Sequence, residues 1–129
     1  MSGVLARSSD GTRLRLALGT YLGIGERLLP SGEAMVILHG ELDLYGVPDV
    51  EKAFEAVGAG VPALIVDVRE LTFIDSSGVR CLIQASRARR ELGSPLICVA
   101  REDGAVRHTL GLVTGESGLD IREASPSDG

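Results

Sequence analysis

Apolar residues fall along this chain in short runs divided by glycine, proline and acidic turns, and the period of each run predicts its element. Residues 13–18 alternate, with Leu14, Leu16 and Leu18 on one side and Arg13 and Arg15 on the other. A period of two predicts a half-exposed strand, and arginines on one face suit a sheet edge. Residues 19–32 mix Gly23, Gly25, Pro30 and Gly32 with apolar residues. They predict a hairpin-like excursion with a short strand near residues 21–24. Ala34-Met35-Val36-Ile37-Leu38-His39 is continuously apolar, as a central strand covered on both faces would be, and Gly40-Glu41-Leu42-Asp43 breaks it. Val47, Val50, Phe54 and Val57 then recur at helical spacing, with Pro48 in the first turn, Asp49 and Glu51 complementing the dipole, and Gly58 as the stop.

Residues 63–68 form a second apolar strand. A short polar turn follows, and Phe73 and Ile74 are expected to bring the chain back to the core before a helix from Val79 to Leu92. Val79, Leu82, Ile83 and Ser86 of that helix face the sheet, while Arg80, Gln84, Arg87 and Glu91 face water. Arg87, Arg89 and Arg90 lie near its carboxyl end, where cations are favoured. Gly93-Ser94-Pro95 ends it, and residues 96–100 predict a third buried strand. Asp103 is expected to cap a short helix through Leu110, residues 111–118 to form a loop, and Leu119-Asp120-Ile121-Arg122 a last edge strand. Strands alternating with helices demand parallel pairs and right-handed crossovers after an antiparallel lead. The predicted class is therefore α/β: a mixed β-sheet packed with α-helices. It occupies residues 12–123, between a flexible N-terminus (1–11) and a flexible polar tail (124–129).

Composition narrows the function. A chain of 129 residues with 44% hydrophobic content supports one modest core, and with 3% aromatics that core must be aliphatic. Net charge is −5, Lys52 is the sole lysine and the arginines are scattered, which argues against direct nucleic-acid binding. No run approaches a membrane span and no signal-peptide core opens the chain, so a soluble cytoplasmic protein without a membrane partner is expected. Cys81 and Cys98 lie inside apolar stretches, where buried free thiols are expected rather than a disulfide. Cysteine and histidine do not cluster at ligand spacing, and the glycine-rich stretches lack a Gly-Lys-Ser/Thr ending; neither metal nor cofactor is expected.

The stretch Leu71-Thr72-Phe73-Ile74-Asp75-Ser76-Ser77-Gly78-Val79 carries the candidate chemistry. Asp75 or Ser76 can cap the following helix, which leaves hydroxyls at the positive end of a helix dipole, a favourable place for phosphate. Ser76 and Ser77 lack the Gly-x-Ser-x-Gly elbow of a nucleophile. The histidines on offer as a base are His39, at the end of a buried strand, and His108, on a short surface helix. A triad needs three roles in one place and only one can be named, so a small serine hydrolase is a distant alternative and no enzyme is expected. Glu41 and Asp43 could form a carboxylate pair, but on sequence alone a solvated turn is the favoured reading.

Three stretches together resemble the STAS domain and, within it, the bacterial anti-sigma factor antagonists. They are His39-Gly40-Glu41-Leu42-Asp43 after its strand, residues 64–68 continuing into 71–79, and Gly93-Ser94-Pro95 leading into residues 96–100. The resemblance spans residues 34–122, and Phe73-Ile74-Asp75-Ser76-Ser77-Gly78 is its most specific part. It implies a STAS-type fold and a non-enzymatic switch. The unphosphorylated antagonist binds an anti-sigma factor and frees a sigma factor. That anti-sigma factor is itself a serine kinase that phosphorylates the serine after the aspartate, and a phosphatase resets the system. The matching serine is Ser76; Asp75 precedes it, and Asp43 matches a loop aspartate near the phosphosite. The ends of two strands are expected to bring both loops to one rim. Gly40, Glu41 and Asp43 would then join Asp75, Ser76, Ser77, Gly78 and Arg80 in the partner-binding surface. The alternative within the family is a scaffold or adaptor that is never phosphorylated, of stressosome or lipid-transport accessory type. Residues 19–32 exceed the usual hairpin, and residues 107–118 are unusually rich in glycine.

Overall fold

The apolar runs lie side by side in a seven-stranded sheet in the computed structural model, which describes residues 5–7, 11–17, 19–113 and 118–124. Leu18, residues 1–4 and 8–10 of the N-terminal segment, 114–117 of the predicted loop and 125–129 of the tail lie outside the described residues. The strands are β1 (Leu5–Arg7), β2 (Arg13–Leu16), β3 (Leu22–Leu28), β4 (Ala34–Leu42), β5 (Leu64–Ile74), β6 (Leu96–Ala100) and β7 (Asp120–Glu123). They sit in the sheet in chain order. β1 to β4 pair antiparallel and β4 to β7 pair parallel, so the sheet is mixed. The parallel crossovers run through α1 (Val47–Val57), α2 (Ser76–Glu91) and α3 (Ala105–Gly111). Consecutive neighbours joined by crossovers of one hand put all three helices on one face.

That one-sided cover shows in the burial of β4. Ala34, Val36 and Leu38 are buried, whereas Met35, Ile37 and His39 are only half-buried, so the expectation of a strand covered on both faces is corrected. The core joins these residues to Leu64, Val66, Val68, Leu96 and Cys98 of the sheet and to Val50, Phe54, Val79, Leu82 and Leu110 of the helices. The helical stripe of α1 is as predicted, with proline in the first turn and Gly58 at the C-cap with φ 71°.

Several boundaries differ from the sequence pattern, each for a physical reason. The excursion after Gly19 holds a full strand of 7 residues, β3, paired along its length with β4. Its glycines make room instead of turning the chain: a Cβ on Gly23 would lie 2.1 Å from the His39 ring. β1 lies outside β2, which is therefore not an edge, and within β2 Leu16 is exposed while Arg15 is half-buried against Glu26 at 2.6 Å. β4 does not break at Gly40. This glycine takes φ 95° at a register shift, and the strand runs on to Leu42. β5 is likewise unbroken through its polar residues, and Thr72 donates its hydroxyl to the Gly40 carbonyl at 3.0 Å. Phe73 does not return to the core; it is 47% exposed. Asp103 does not cap α3, whose N-cap is Gly104, and instead pairs with Arg101 at 3.6 Å.

Arg89 is the largest departure, at 5% exposed. Its guanidinium donates to the Ser94 carbonyl (2.9 Å), the Gly58 carbonyl (2.7 Å) and the Ser94 hydroxyl, and Ser94 in turn donates to the Val61 carbonyl at 2.6 Å. The ends of α1 and α2 are thereby tied to the starts of β5 and β6. Burial pulls the Arg89 pKa below its ordinary value.

Two expected outcomes follow from this packing. A Cβ on Gly40 would lie 2.1 Å from the Tyr21 carbonyl oxygen at a φ that L-residues avoid. Gly40→Ala should cost roughly 2–4 kcal/mol in urea denaturation. Cys81 and Cys98 are free and buried, and desolvation pushes each thiol up to about 12. At about pH 8 the native protein should resist iodoacetamide at both sites, and labelling should track global unfolding.

Candidate partner-docking rim

The site is built where β4 and β5 end together. Glu41 pairs with Phe73 and Leu42 with Ile74, and the Asp75 N–H donates to the Leu42 carbonyl at 3.1 Å. The two loops named in the sequence therefore meet on one rim. Asp75 has extended backbone and caps α2: its Oδ1 accepts the Gly78 N–H at 3.0 Å. Its carbonyl accepts the first helical bond, from the Val79 N–H, at 3.0 Å. Of the two residues able to cap, the aspartate does so. Ser76 becomes the first helical residue, exposed, and Ser77 is half-buried. Gly78 is required by close approach, since a Cβ there would lie 2.7 Å from Ile74 Cγ1 and 2.9 Å from Leu42 Cγ.

Across the rim, Asp43 turns its carboxylate into its own loop. Its Oδ1 accepts from the Tyr45 N–H (3.0 Å) and the Gly46 N–H (3.3 Å), so it shapes the approach to α1. Glu41 is exposed beside it, and its N–H donates to the Tyr21 carbonyl at 2.9 Å. The pattern is two carboxylates in different roles, one spent on backbone N–H groups and one in water. Arg80 lies one helical turn beyond Ser76 and is exposed. A groove of about 550 Å³ runs from Ser76 along α2, between that helix and the end of α3.

The rim also gathers residues that sequence patterning missed. Tyr21 is 79% exposed and Tyr45 74%, and Leu44 and Phe73 are exposed with them. The chain has two Tyr and two Phe, and of these four aromatics only Phe54 is buried. Three aromatics left outside an aliphatic core were the available signal. They come from three separate segments: strand register sets Tyr21 and Phe73 on either side of Glu41, and Tyr45 follows Asp43 in the next loop.

His39 lies against Gly23, His108 is exposed on α3, and among the described residues no hydrogen bond joins either to Ser76 or Ser77. Among the described residues no group of three His, Cys, Asp or Glu side chains is placed to hold a metal ion, and no helix is long and apolar enough to cross a membrane.

A family model described as Mlab, STAS domain, matches residues 29–115. The chain belongs to the STAS domain family. Its mixed sheet with three helices is the STAS fold of anti-sigma factor antagonists. An anti-sigma factor antagonist from Mycobacterium paratuberculosis matches with a TM-score of 0.65 and 22% identity, over 92% of this chain and 92% of that one. The anti-sigma factor antagonist SpoIIAA in its unphosphorylated form matches with a TM-score of 0.60 and 18% identity, over 79% of this chain and 89% of that one. The phosphorylated form of SpoIIAA, a Bacillus cell fate determinant, gives 0.61 and 18%, over 79% and 91%. At these identities the likeness to each is one of fold. No curated protein matches the chain.

If Asp75 anchors α2 by capping, Asp75→Ala should cost this STAS domain about 1 kcal/mol. Asp75→Asn, which keeps a cap acceptor, should cost little. Urea denaturation of the two variants beside the parent checks this.

Proposed function

We propose that this STAS domain is an anti-sigma factor antagonist of a bacterial cytoplasm, a regulator of transcription without enzymatic activity of its own. Its unphosphorylated form binds an anti-sigma factor that is also a serine kinase, and so frees a sigma factor. Phosphorylation of Ser76 switches that binding off, and a phosphatase restores it. The observation that carries this reading is the division of labour at the start of α2: Asp75 supplies the cap, so the Ser76 hydroxyl is exposed and uncommitted. A kinase can reach it without unfolding any element. Exposed Tyr21, Tyr45 and Phe73, from the segments that meet at the rim, offer the partner apolar anchors. Glu41 and Arg80 supply the charged edge; Gly40, Asp43, Ser77 and Gly78 set the backbone beneath.

Magnitudes favour a switch that acts on docking and leaves folding alone. A phosphoserine carries about −1.5 to −2 charges. The helix dipole favours it by roughly 0.3–1 kcal/mol, and repulsion from Asp75 across water is of similar size. In a complex the same group must shed water or clash, and a few kcal/mol weakens binding by about a hundredfold or more.

A second reading, a STAS scaffold or adaptor that is never phosphorylated, draws on the matching family model, described as Mlab, STAS domain. Co-purification of the native partner, addition of ATP, intact-mass measurement and phosphopeptide mapping separate the two. The expected result is one phosphate, on Ser76, with a melting temperature within a few degrees of the unmodified protein (about 1 kcal/mol) and loss of partner affinity. Ser76→Ala should bind constitutively and Ser76→Asp poorly. A bound partner that never transfers phosphate supports the adaptor. Phosphate on Ser77 alone, or equal binding by both forms, sinks the switch.

A further inference from the structure

The groove that starts at Ser76 has an apolar floor and a basic wall. Val79 is buried in it, Ile83 and Val113 are half-buried, and Leu112 is exposed. Arg80 and Arg87, both exposed, line its α2 side, and no acidic residue lines it. Five other arginines meet carboxylates: Arg15 with Glu26, Arg69 with Asp67, Arg101 with Asp103, Arg107 with Glu123 and Arg122 with Asp120. Among the described residues no hydrogen bond or ion pair engages Arg80 or Arg87. In a chain of net charge −5, this is a local reversal of sign beside exposed apolar surface. Its complement is a ligand both acidic and apolar.

Spacing says more about that ligand. Arg80 and Arg87 are seven residues apart on one helix, about 10 Å at 1.5 Å per residue. Seven residues is also two turns of any second helix laid along α2. Val79 and Ile83 are one turn apart, the spacing at which an amphipathic helix presents its apolar residues. We infer that the groove receives an amphipathic helix of a partner protein whose carboxylates stand seven residues apart and flank an apolar stripe. The inference rests on the antagonist reading only for the identity of the partner, the anti-sigma factor, and it deepens that reading by giving the phosphate a local target. A phosphate on Ser76 lies one helical turn from Arg80, where it neutralises one of the two cations and repels the incoming carboxylates.

The test uses the full chain and a synthetic helical peptide of about 16 residues, long enough for about four turns, with glutamates seven apart and leucines between them. A matched peptide has lysines in place of the glutamates. In an NMR titration the acidic peptide should shift the amides of residues 79–87 and 109–113. Its affinity should fall with added salt, and about tenfold or more in Arg80→Gln/Arg87→Gln, a pair of exposed sites whose folding a thermal melt checks. Absence of groove shifts, equal binding of the lysine peptide, or undiminished binding by the folded double variant overturns the inference. Phosphorylation of Ser76 separates the two proposals. If the phosphorylated chain binds the co-purified partner as well as the unmodified one while the arginine variant loses the acidic peptide, the groove stands and the phosphate switch falls. If the peptide fails while phosphorylation of Ser76 still releases the co-purified partner, the groove inference falls alone.

Discussion

The first turn of α2 is seated against the ends of β4 and β5 with no space to spare, and the rim depends on that seat. Gly78 lies so close to Leu42 and Ile74 that a methyl group would not fit. The Asp75 N–H holds the Leu42 carbonyl, and the Asp75 carboxylate holds the Gly78 N–H. Two hydrogen bonds and one steric contact thus fix where the helix begins and how it leaves the sheet. Ser76 is exposed as a consequence, because the residue after the cap is the first to turn outward while Gly78 and Val79 turn in. Glycine and aspartate make the serine available; the serine itself holds nothing together.

The rim is also a projection of the sheet. β6 pairs with β5 from Leu64 to Asp67, whereas β4 remains paired with β5 as far as Ile74. The outer half of β5 therefore has a strand on one side only, and α3 packs against it. Arg69, Glu70 and Thr72 are polar because this arm leaves the buried part of the sheet, and Thr72 fastens it to Gly40. The same arm carries Phe73 outward beside Glu41, which Tyr21 flanks on its other side.

Legibility in the sequence followed from how local each cause was. The helical stripe of α1, the Gly58 stop and the apolar runs of β5 and β6 depend on near neighbours, and they read correctly. Asp75 and Ser76 were legible as a pair because capping is local chemistry, although which of them capped was not. β3 was hidden because its glycines answer a ring on the neighbouring strand, and Gly40 because its positive φ serves a register shift against β5. Arg89 was misread for a related reason. A cation at a helix C-terminus is favoured in water, and nothing nearby in sequence announces that carbonyls of Gly58 and Ser94 will surround it. The exposed aromatics and the α2–α3 groove needed three-dimensional convergence, which periodicity does not encode.

Arg89 and Ser76 stand at opposite ends of one helix, and that separation bears on the proposed switch. The arginine ties the C-terminal ends of α1 and α2 to the entry points of β5 and β6 through buried hydrogen bonds. Breaking such bonds would leave buried carbonyls unsatisfied, at about 1–3 kcal/mol each. The serine, about 20 Å away along an axis that rises 1.5 Å per residue, touches none of them. New charge at the rim meets water, the helix dipole and exposed side chains, all of which tolerate it. A domain arranged in this way can change what it binds while its core stays as it was. The two ends then differ: the Arg89 end needs satisfied polar groups, and the Ser76 end carries a hydroxyl that the fold does not use.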